Sequence, residues 1–295
     1  MKAMRKHFME NDEFPLQFVY RDTKSPQSEL PEHVHDWNEI VYVYSGRGTF
    51  FIDSLFFEMR AGDIFLLPGD TIHHAVPDKS NPVTSSVVYF GRKLIPELSL
   101  GESFSLPALF DNIRQSGQYR VTLNEADRAS FMNGIERIHE EVQSRQQGNH
   151  FAIRLILHQL LLELSRSQQL DFEEMRSPAQ GSPYPWLQET LLYIDTNPEL
   201  PLTLSLLAKR ALVSREHLSR VFKDMTGMKL TDYIHAKKIL HAKQLLIHTT
   251  ASIEEIAERC GFETLTHFHR VFKKRMEMTP AVFRKQSSTA QAAIE

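Results

Sequence analysis

Two short stretches in the last third of this 295-residue chain repeat one pattern of apolar and polar side chains. Each has helical spacing, so its apolar residues share one side and its polar residues share the other. The polar sides hold Arg215, Glu216, Ser219, Arg220 and Lys223 in the first stretch and Thr266, His269, Arg270 and Lys273 in the second. A guanidinium donates two parallel hydrogen bonds to a guanine edge, or it holds a phosphate. Both stretches are therefore candidates for entering the major groove of DNA.

Each stretch is predicted to be the second helix of a repeated pair of helices. Leu204-Ser-Leu-Leu-Ala precedes the first stretch and Ile253-Glu-Glu-Ile-Ala precedes the second, at an offset of 49 residues. The offset is 50 at Phe222 and Phe272, so one residue is inserted in the second turn. The expected N-caps and the glycine that ends a helix are Thr203, Ser214, Ser252 and Gly227. The pattern indicates two tandem helix-turn-helix units.

A long helix is predicted between the two units, from Leu230 to His248. About 18 helical residues span about 27 Å at 1.5 Å per residue. A rigid connection of this length would hold two recognition helices near the ~34 Å repeat of B-DNA. The bland alternative is a helical interaction domain with solvated basic faces, which the repetition of the whole pattern disfavours.

The second unit resembles the signature of AraC/XylS-type transcription regulators. The resemblance runs from Ile253-Glu-Glu-Ile-Ala-Glu-Arg-Cys-Gly-Phe through His269-Arg-Val-Phe-Lys-Lys to Thr279-Pro-Ala-Val-Phe-Arg. Glu277 stands where the family pattern usually has glycine, so the end of the second recognition helix departs from it. The resemblance implies a regulator that activates transcription through contact with RNA polymerase.

The resemblance also implies which outward residues contact bases and which contact phosphates. The residues that would approach bases are Glu216, Ser219, Arg220, Thr266, His269 and Arg270. The residues assigned to phosphates are Arg215, Lys223, Lys273 and Lys274. By chemistry alone, Arg220 and Arg270 remain open to either kind of contact.

A second candidate site lies in the N-terminal part, where histidines and a carboxylate follow the spacing of cupin motifs. Its residues are His33, His35, Glu39 and His73, with Gly46, Gly62 and Pro68 at turn positions. In cupin metalloenzymes these four polar positions converge on a metal, and this ligand set suits Zn, Fe, Ni or Mn. We favour a polar effector pocket without a cofactor, because sensor domains of this regulator family carry the same spacing. The aromatic candidates for its walls, which suit a sugar ring, are Trp37, Tyr42, Tyr44 and Phe65.

These segments predict an α+β multidomain protein. Short runs rich in β-branched and aromatic residues predict a cupin-like β-barrel within residues 1–120, which would bind the effector. Two helices within 121–170 form a predicted hairpin for dimerisation, although the wide apolar stripe of the second helix equally suits the core. Residues 171–185 have the proline and small residues of a linker. Residues 186–286 form the predicted all-α domain with tandem helix-turn-helix units.

Charge is divided in the same way along the chain, whose net charge is −3. Residues 186–295 hold 16 Lys and Arg against 12 Asp and Glu, whereas the remainder holds 18 against 25. Only the C-terminal part therefore suits a polyanion. No apolar run approaches the ~18 residues of a membrane span. The single cysteine, Cys260, excludes an internal disulfide, and we expect a cytoplasmic protein.

The sequence thus predicts a ligand-responsive, sequence-specific DNA-binding regulator, an activator of carbohydrate-use genes and not an enzyme. Its predicted partners are double-stranded promoter DNA, a small-molecule effector such as a sugar, RNA polymerase and a second copy of the chain, with no membrane. The main alternative is a metal-dependent cupin enzyme fused to a DNA-binding module. A further alternative is an architectural DNA-binding protein without a ligand.

Overall fold

The computed structural model divides into two compact units, Met1–Gly181 and Ser182–Glu295. It describes residues 13–24, 36–98, 101, 104–144, 146–168 and 184–292. Two predicted site residues, His33 and His35, lie outside the described residues, as does most of the predicted linker at 171–185. The last two linker positions belong to a helix instead, because Tyr184 is the N-cap and Pro185 the first residue of that helix.

The described strands of the first unit form two antiparallel sheets. One sheet has the order β1 (Leu16–Lys24), β7 (Val83–Phe90), β2 (Asn38–Ser45), β5 (Ile64–Leu67) and β8 (Arg120–Val121). The other has the order β4 (Leu55–Met59), β3 (Gly48–Ile52) and β6 (His73–Pro77). The apolar runs of the sequence predict strands over 39–44, 49–53, 63–67 and 83–90, which correspond to β2, β3, β5 and β7. The structure adds the other four described strands.

Apolar side chains from both sheets fill the space between them. Phe50 of β3 packs edge-on against Phe65 of β5, with their ring centres 5.1 Å apart. The turn between β2 and β3 depends on Gly46, whose φ is +91°. A Cβ atom at this position would overlap the carbonyl group of Pro82, so only glycine fits there.

The later described part of this unit is mainly helical. They are α1 (Leu106–Ser116), α2 (Glu125–Ser144) and α3 (Asn149–Gln168). The predicted stripe of Phe131, Ile135 and Ile138 on α2 is buried. Gly134 lets α2 approach α3 closely, because a Cβ atom there would lie 2.6 Å from Cδ2 of Leu160. The two helices predicted within 121–170 are thus packed against one another.

The described part of the second unit is helical. Its helices are α4 (Pro185–Thr196), α5 (Leu204–Arg210), α6 (Arg215–Thr226), α7 (Leu230–His248), α8 (Ile253–Arg259), α9 (Leu265–Met276) and α10 (Pro280–Ala292). The pairs α5–α6 and α8–α9 are the two predicted helix-turn-helix units, and α7 has the predicted bounds. Helix α10 continues to Ala292, beyond the predicted end of the domain at residue 286.

Helix α7 contributes to the packing of both helix pairs. Near its start, Tyr233 packs edge-on against Phe222 of α6, with ring centres 5.4 Å apart. Further along, Ile239 and Leu246 lie in a buried apolar cluster with residues of α8 and α9, among them Phe272. Helix α7 is therefore part of the apolar packing of both helix pairs. This packing fixes the position and direction of each recognition helix.

Candidate nucleic-acid interface and ligand pocket

Helix α6 begins and ends where its sequence requires. The side chain of Ser214 accepts a hydrogen bond from the backbone N–H of His217, which satisfies one of the free donors at the start of the helix. Gly227 adopts the left-handed conformation at φ 78°, and its N–H donates to the carbonyl of Lys223. Leu218, Val221 and Phe222 are buried between these ends, so the opposite side of α6 faces solvent.

Every α6 residue predicted to contact DNA is exposed: Arg215, Glu216, Ser219, Arg220 and Lys223. Nη2 of Arg220 lies 3.3 Å from Nδ1 of His217 and can donate a hydrogen bond to it. The ring of His217 in turn lies 5.6 Å from that of Trp186 on α4. This support for Arg220 cannot be predicted from the sequence, because the contact between His217 and Trp186 joins two helices that are distant in sequence.

Helix α9 repeats the arrangement of α6. The side chain of Thr264 accepts a hydrogen bond from the N–H of His267, and Phe268, Val271 and Phe272 are buried. Four predicted DNA contacts are exposed on the other side: Thr266, Arg270, Lys273 and Lys274. His269 is only partly exposed, and its ring lies 5.9 Å from the ring of Phe268. It is therefore the least accessible of the predicted base contacts.

The two arginines on the recognition helices keep their full positive charge available. Within the described ranges, neither Arg220 nor Arg270 forms an ion pair with a carboxylate. No carboxylate of the described residues therefore has to be displaced before these guanidinium groups contact a base or a phosphate. The lysines at 223 and 273 lie near the ends of their helices, one turn beyond the arginines.

A small cavity of about 20 Å³ lies between the two sheets of the first unit. Polar side chains from both sheets line it: Lys24, Glu39, His73, His74, Ser85 and Tyr89. Two of these, Glu39 and His73, are predicted pocket residues. Lys24, Ser85 and Tyr89 were missed, since only the pairing of β1, β2 and β7 brings them to the same place as Glu39. His74 was missed as well, and it reaches the cavity from β6 of the other sheet.

None of the four predicted aromatic wall residues lines this cavity. On β2, Glu39 and Val41 line the cavity, so Tyr42 points to the other face, where its ring lies 5.8 Å from that of Phe131 on α2. The hydroxyl of Tyr44 lies 3.1 Å from that of Ser86. Two more aromatic residues, Trp37 and Phe65, are buried in the apolar core.

Glu39 and His73 meet across the interior between the sheets. Oε2 of Glu39 lies 3.2 Å from Nε2 of His73, and both side chains are buried. Nδ1 of His73 lies 3.0 Å from the carbonyl oxygen of Thr71, to which an N–H at that position donates. Burial lowers the pKa of the neighbouring His74 to about 4, so His74 is neutral at pH 7. The cavity is thus a polar site that combines the carboxylate of Glu39, the imidazoles of His73 and His74 and the amine of Lys24.

The metal alternative requires a set of three or more ligands. The described residues include no group of three His, Cys, Asp or Glu side chains placed to hold a metal ion. His33 and His35, which the cupin pattern would add to Glu39 and His73, lie outside the described residues.

Among the described helices, none is both long and apolar enough to cross a membrane.

A polar cavity in a β-rich unit and two exposed recognition helices in a second unit define a ligand-responsive, DNA-binding transcription regulator. Family models agree with this division of the chain. Residues 15–164 match the AraC-like ligand binding domain, and residues 207–286 match a helix-turn-helix domain. The chain belongs to the AraC-type family of regulators.

Similar proteins are found along nearly the whole chain. The HTH-type transcriptional activator RhaR of Klebsiella pneumoniae is 26% identical over 265 residues, which cover 90% of this chain and 91% of that relative. The RhaR activator of Enterobacter is 25% identical over 266 residues and 90% of both chains. The RhaR activator of Escherichia coli O139:H28 is 26% identical over 293 residues and 98% of both chains.

Proposed function

We propose that the chain activates carbohydrate-use genes by binding two successive major-groove segments of a promoter with α6 and α9. The observation that carries this proposal is the pair of exposed guanidinium groups of Arg220 and Arg270, neither ion-paired with a described carboxylate, at matching positions of two structural repeats. Glu216, Ser219, Thr266 and His269 would contact neighbouring bases. Arg215, Lys223, Lys273 and Lys274 would hold phosphates on either side.

Binding of Arg270→Ala to DNA tests this assignment. An operator is first selected from random duplexes with the wild-type chain. We expect Arg270→Ala to bind it ~1–3 kcal/mol more weakly and to lose its preference at one base pair, because a bidentate guanine contact is removed. Lys274→Ala, in contrast, should weaken binding to all sequences alike and lower the salt dependence by about one unit.

The matched control is Arg259→Ala, which removes an exposed arginine from α8, the helix before the recognition helix. It should leave the base preference unchanged. An unaltered preference in Arg270→Ala, with the variant folded, would remove Arg270 from the base contacts.

The proposed effector is a sugar that binds beside Glu39 and His73, where the cavity of about 20 Å³ must widen to admit it. Sugar hydroxyls donate to a carboxylate and accept from imidazole and ammonium groups, all of which the lining supplies. The RhaR relatives are activators, which supports the same direction of regulation. Repeating the DNA-binding measurement with a panel of sugars tests the effector class, and the same change with every sugar, or none with any, contradicts it.

The proposed assembly is a cytoplasmic homodimer that contacts RNA polymerase and has no catalytic activity. Helix α3 supports the dimer, because Phe151 and Leu155 lie one turn apart and are 66% and 56% exposed. Two such side chains on one face are costly in water and suit contact with the same face of a second copy.

A further inference from the structure

A buried lysine lies at the middle of α7, between the two helix pairs. Lys238 is only 6% exposed. Its Nζ donates one hydrogen bond to the carbonyl of Gly261, at 2.6 Å, and another to the carbonyl of Leu200, at 3.2 Å. Gly261 lies in the turn of the second helix pair, whereas Leu200 lies in the segment that leads into α5 of the first. One side chain thus connects both pairs.

The groups around the Lys238 ammonium suit a charged hydrogen-bond donor. Burial lowers the pKa of Lys238, and the group is compensated by two carbonyl dipoles and by the ring of Phe262, whose centre lies 5.5 Å from Nζ. An apolar side chain of the same length would avoid the cost of desolvating a charge. Stability alone therefore does not favour lysine here, whereas directed hydrogen bonds to two separate segments require it.

The backbones of these two segments approach each other closely at the same point. A Cβ atom on Gly261 would overlap the carbonyl of Glu199 and lie 2.7 Å from Nζ of Lys238. Gly261 also has a φ of +66°, which glycine adopts without strain. The segment before α5 and the turn before α9 are thus in direct contact, with Lys238 bonded to both.

We propose that Lys238 is a positioning residue that sets the distance and rotation between α6 and α9, and hence the spacing of half-sites that the regulator accepts. The two recognition helices must enter successive turns of the groove, about 10 base pairs apart. A change in their relative rotation would let only one of them bind in register. This inference rests on the proposed binding of both helices to one duplex.

The test measures how affinity depends on the spacing between half-sites. Full-length wild-type, Lys238→Met and Lys237→Met chains are titrated onto the selected operator and onto duplexes with one or two base pairs added or removed between the half-sites. Lys237 is the matched control, because it is the adjacent lysine on α7 but binds Asp195 of α4, at 2.8 Å, within the N-terminal side of the unit.

For the wild-type chain, a changed spacing should cost about tenfold or more in affinity, because simultaneous engagement is lost. Lys238→Met should bind the selected operator about tenfold more weakly, and a changed spacing should then cost only about twofold. Lys237→Met should keep the wild-type penalty. A folded Lys238→Met chain with the full wild-type penalty overturns the inference.

Two results separate this inference from the function on which it rests. A wild-type chain whose affinity does not depend on spacing contradicts the proposed two-site binding itself, and the inference with it. A wild-type chain with a sharp penalty that Lys238→Met also retains contradicts only the role of Lys238. If Lys238→Met does not fold, as judged by circular dichroism, Lys238→Gln is measured instead and assessed by the same criterion.

Discussion

The two helix-turn-helix units use the left-handed backbone conformation at the same two places but put glycine in different ones. In the turn, the first unit has Leu212 at φ 56° and the second has Gly261 at φ 66°. At the end of the recognition helix, the first has Gly227 at φ 78° and the second has Glu277 at φ 60°. The fold therefore requires this conformation at both places, but neither place requires glycine in both units.

Space around each residue accounts for the difference in the turn. Leu212 is 92% exposed, so its side chain meets nothing, and the only cost is backbone strain of about 1–2 kcal/mol for a residue with a Cβ atom. Gly261 faces Glu199 and Lys238 at distances that exclude a Cβ atom. The insertion of one residue in the second turn accompanies this closer contact.

The largest effect should come from Gly261→Ala. We expect it to destabilise the C-terminal unit by about 2–4 kcal/mol, because the left-handed strain adds to overlap with the backbone at Glu199. Urea unfolding followed by circular dichroism measures the change.

Gly148→Ala provides the control for strain without overlap. Gly148 has a φ of +86°, and a Cβ atom there would have no neighbour within 4 Å. This variant should lose only about 1–2 kcal/mol from the N-terminal unit. Equal losses in the two variants would show that the contact with Glu199 has no energetic importance.

Local features of the second unit could be predicted from the sequence, because they depend on residues within one or two turns of each other. Periodicity places Phe268 and Phe272 inward and Arg270 outward, and Ser252 forms a capping box with Glu255 at the start of α8. The departure at Glu277 was recognised, but not that the residue would keep the left-handed conformation. That outcome depends on the whole turn before α10.

The pocket could be predicted only in part, because its residues come together through strand pairing. Glu39 and His73 follow a recognisable spacing, whereas Lys24 and Tyr89 reach the cavity only because β7 lies between β1 and β2. Successive side chains of a strand point to opposite faces, so the sequence divides the residues of β2 into two sets. It does not show which set faces the cavity. Tyr42 and Glu39 cannot share a face, and the sheet order decided between them.

A smaller effect is expected from Glu277→Gly, which gives the second unit the helix end of the first. It should stabilise the C-terminal unit by about 1 kcal/mol, because glycine relieves the strain at φ 60° and suits the position after a helix. The reciprocal variant, Gly227→Glu, should lose a similar amount. Urea unfolding of both variants checks the pair, and a stability loss in Glu277→Gly would mean that the glutamate side chain contributes more than the strain costs.

The smallest effect should come from Leu212→Asn. Asparagine adopts the left-handed conformation more readily than leucine, so a gain of about 0.5 kcal/mol is expected in the isolated chain. Since the residue Leu212 is 92% exposed, almost no packing is lost to offset that gain. A loss of stability measured by urea unfolding would mean that Leu212 makes a contact within the folded chain that outweighs its strain, and that space alone does not explain why the first unit dispenses with glycine in its turn.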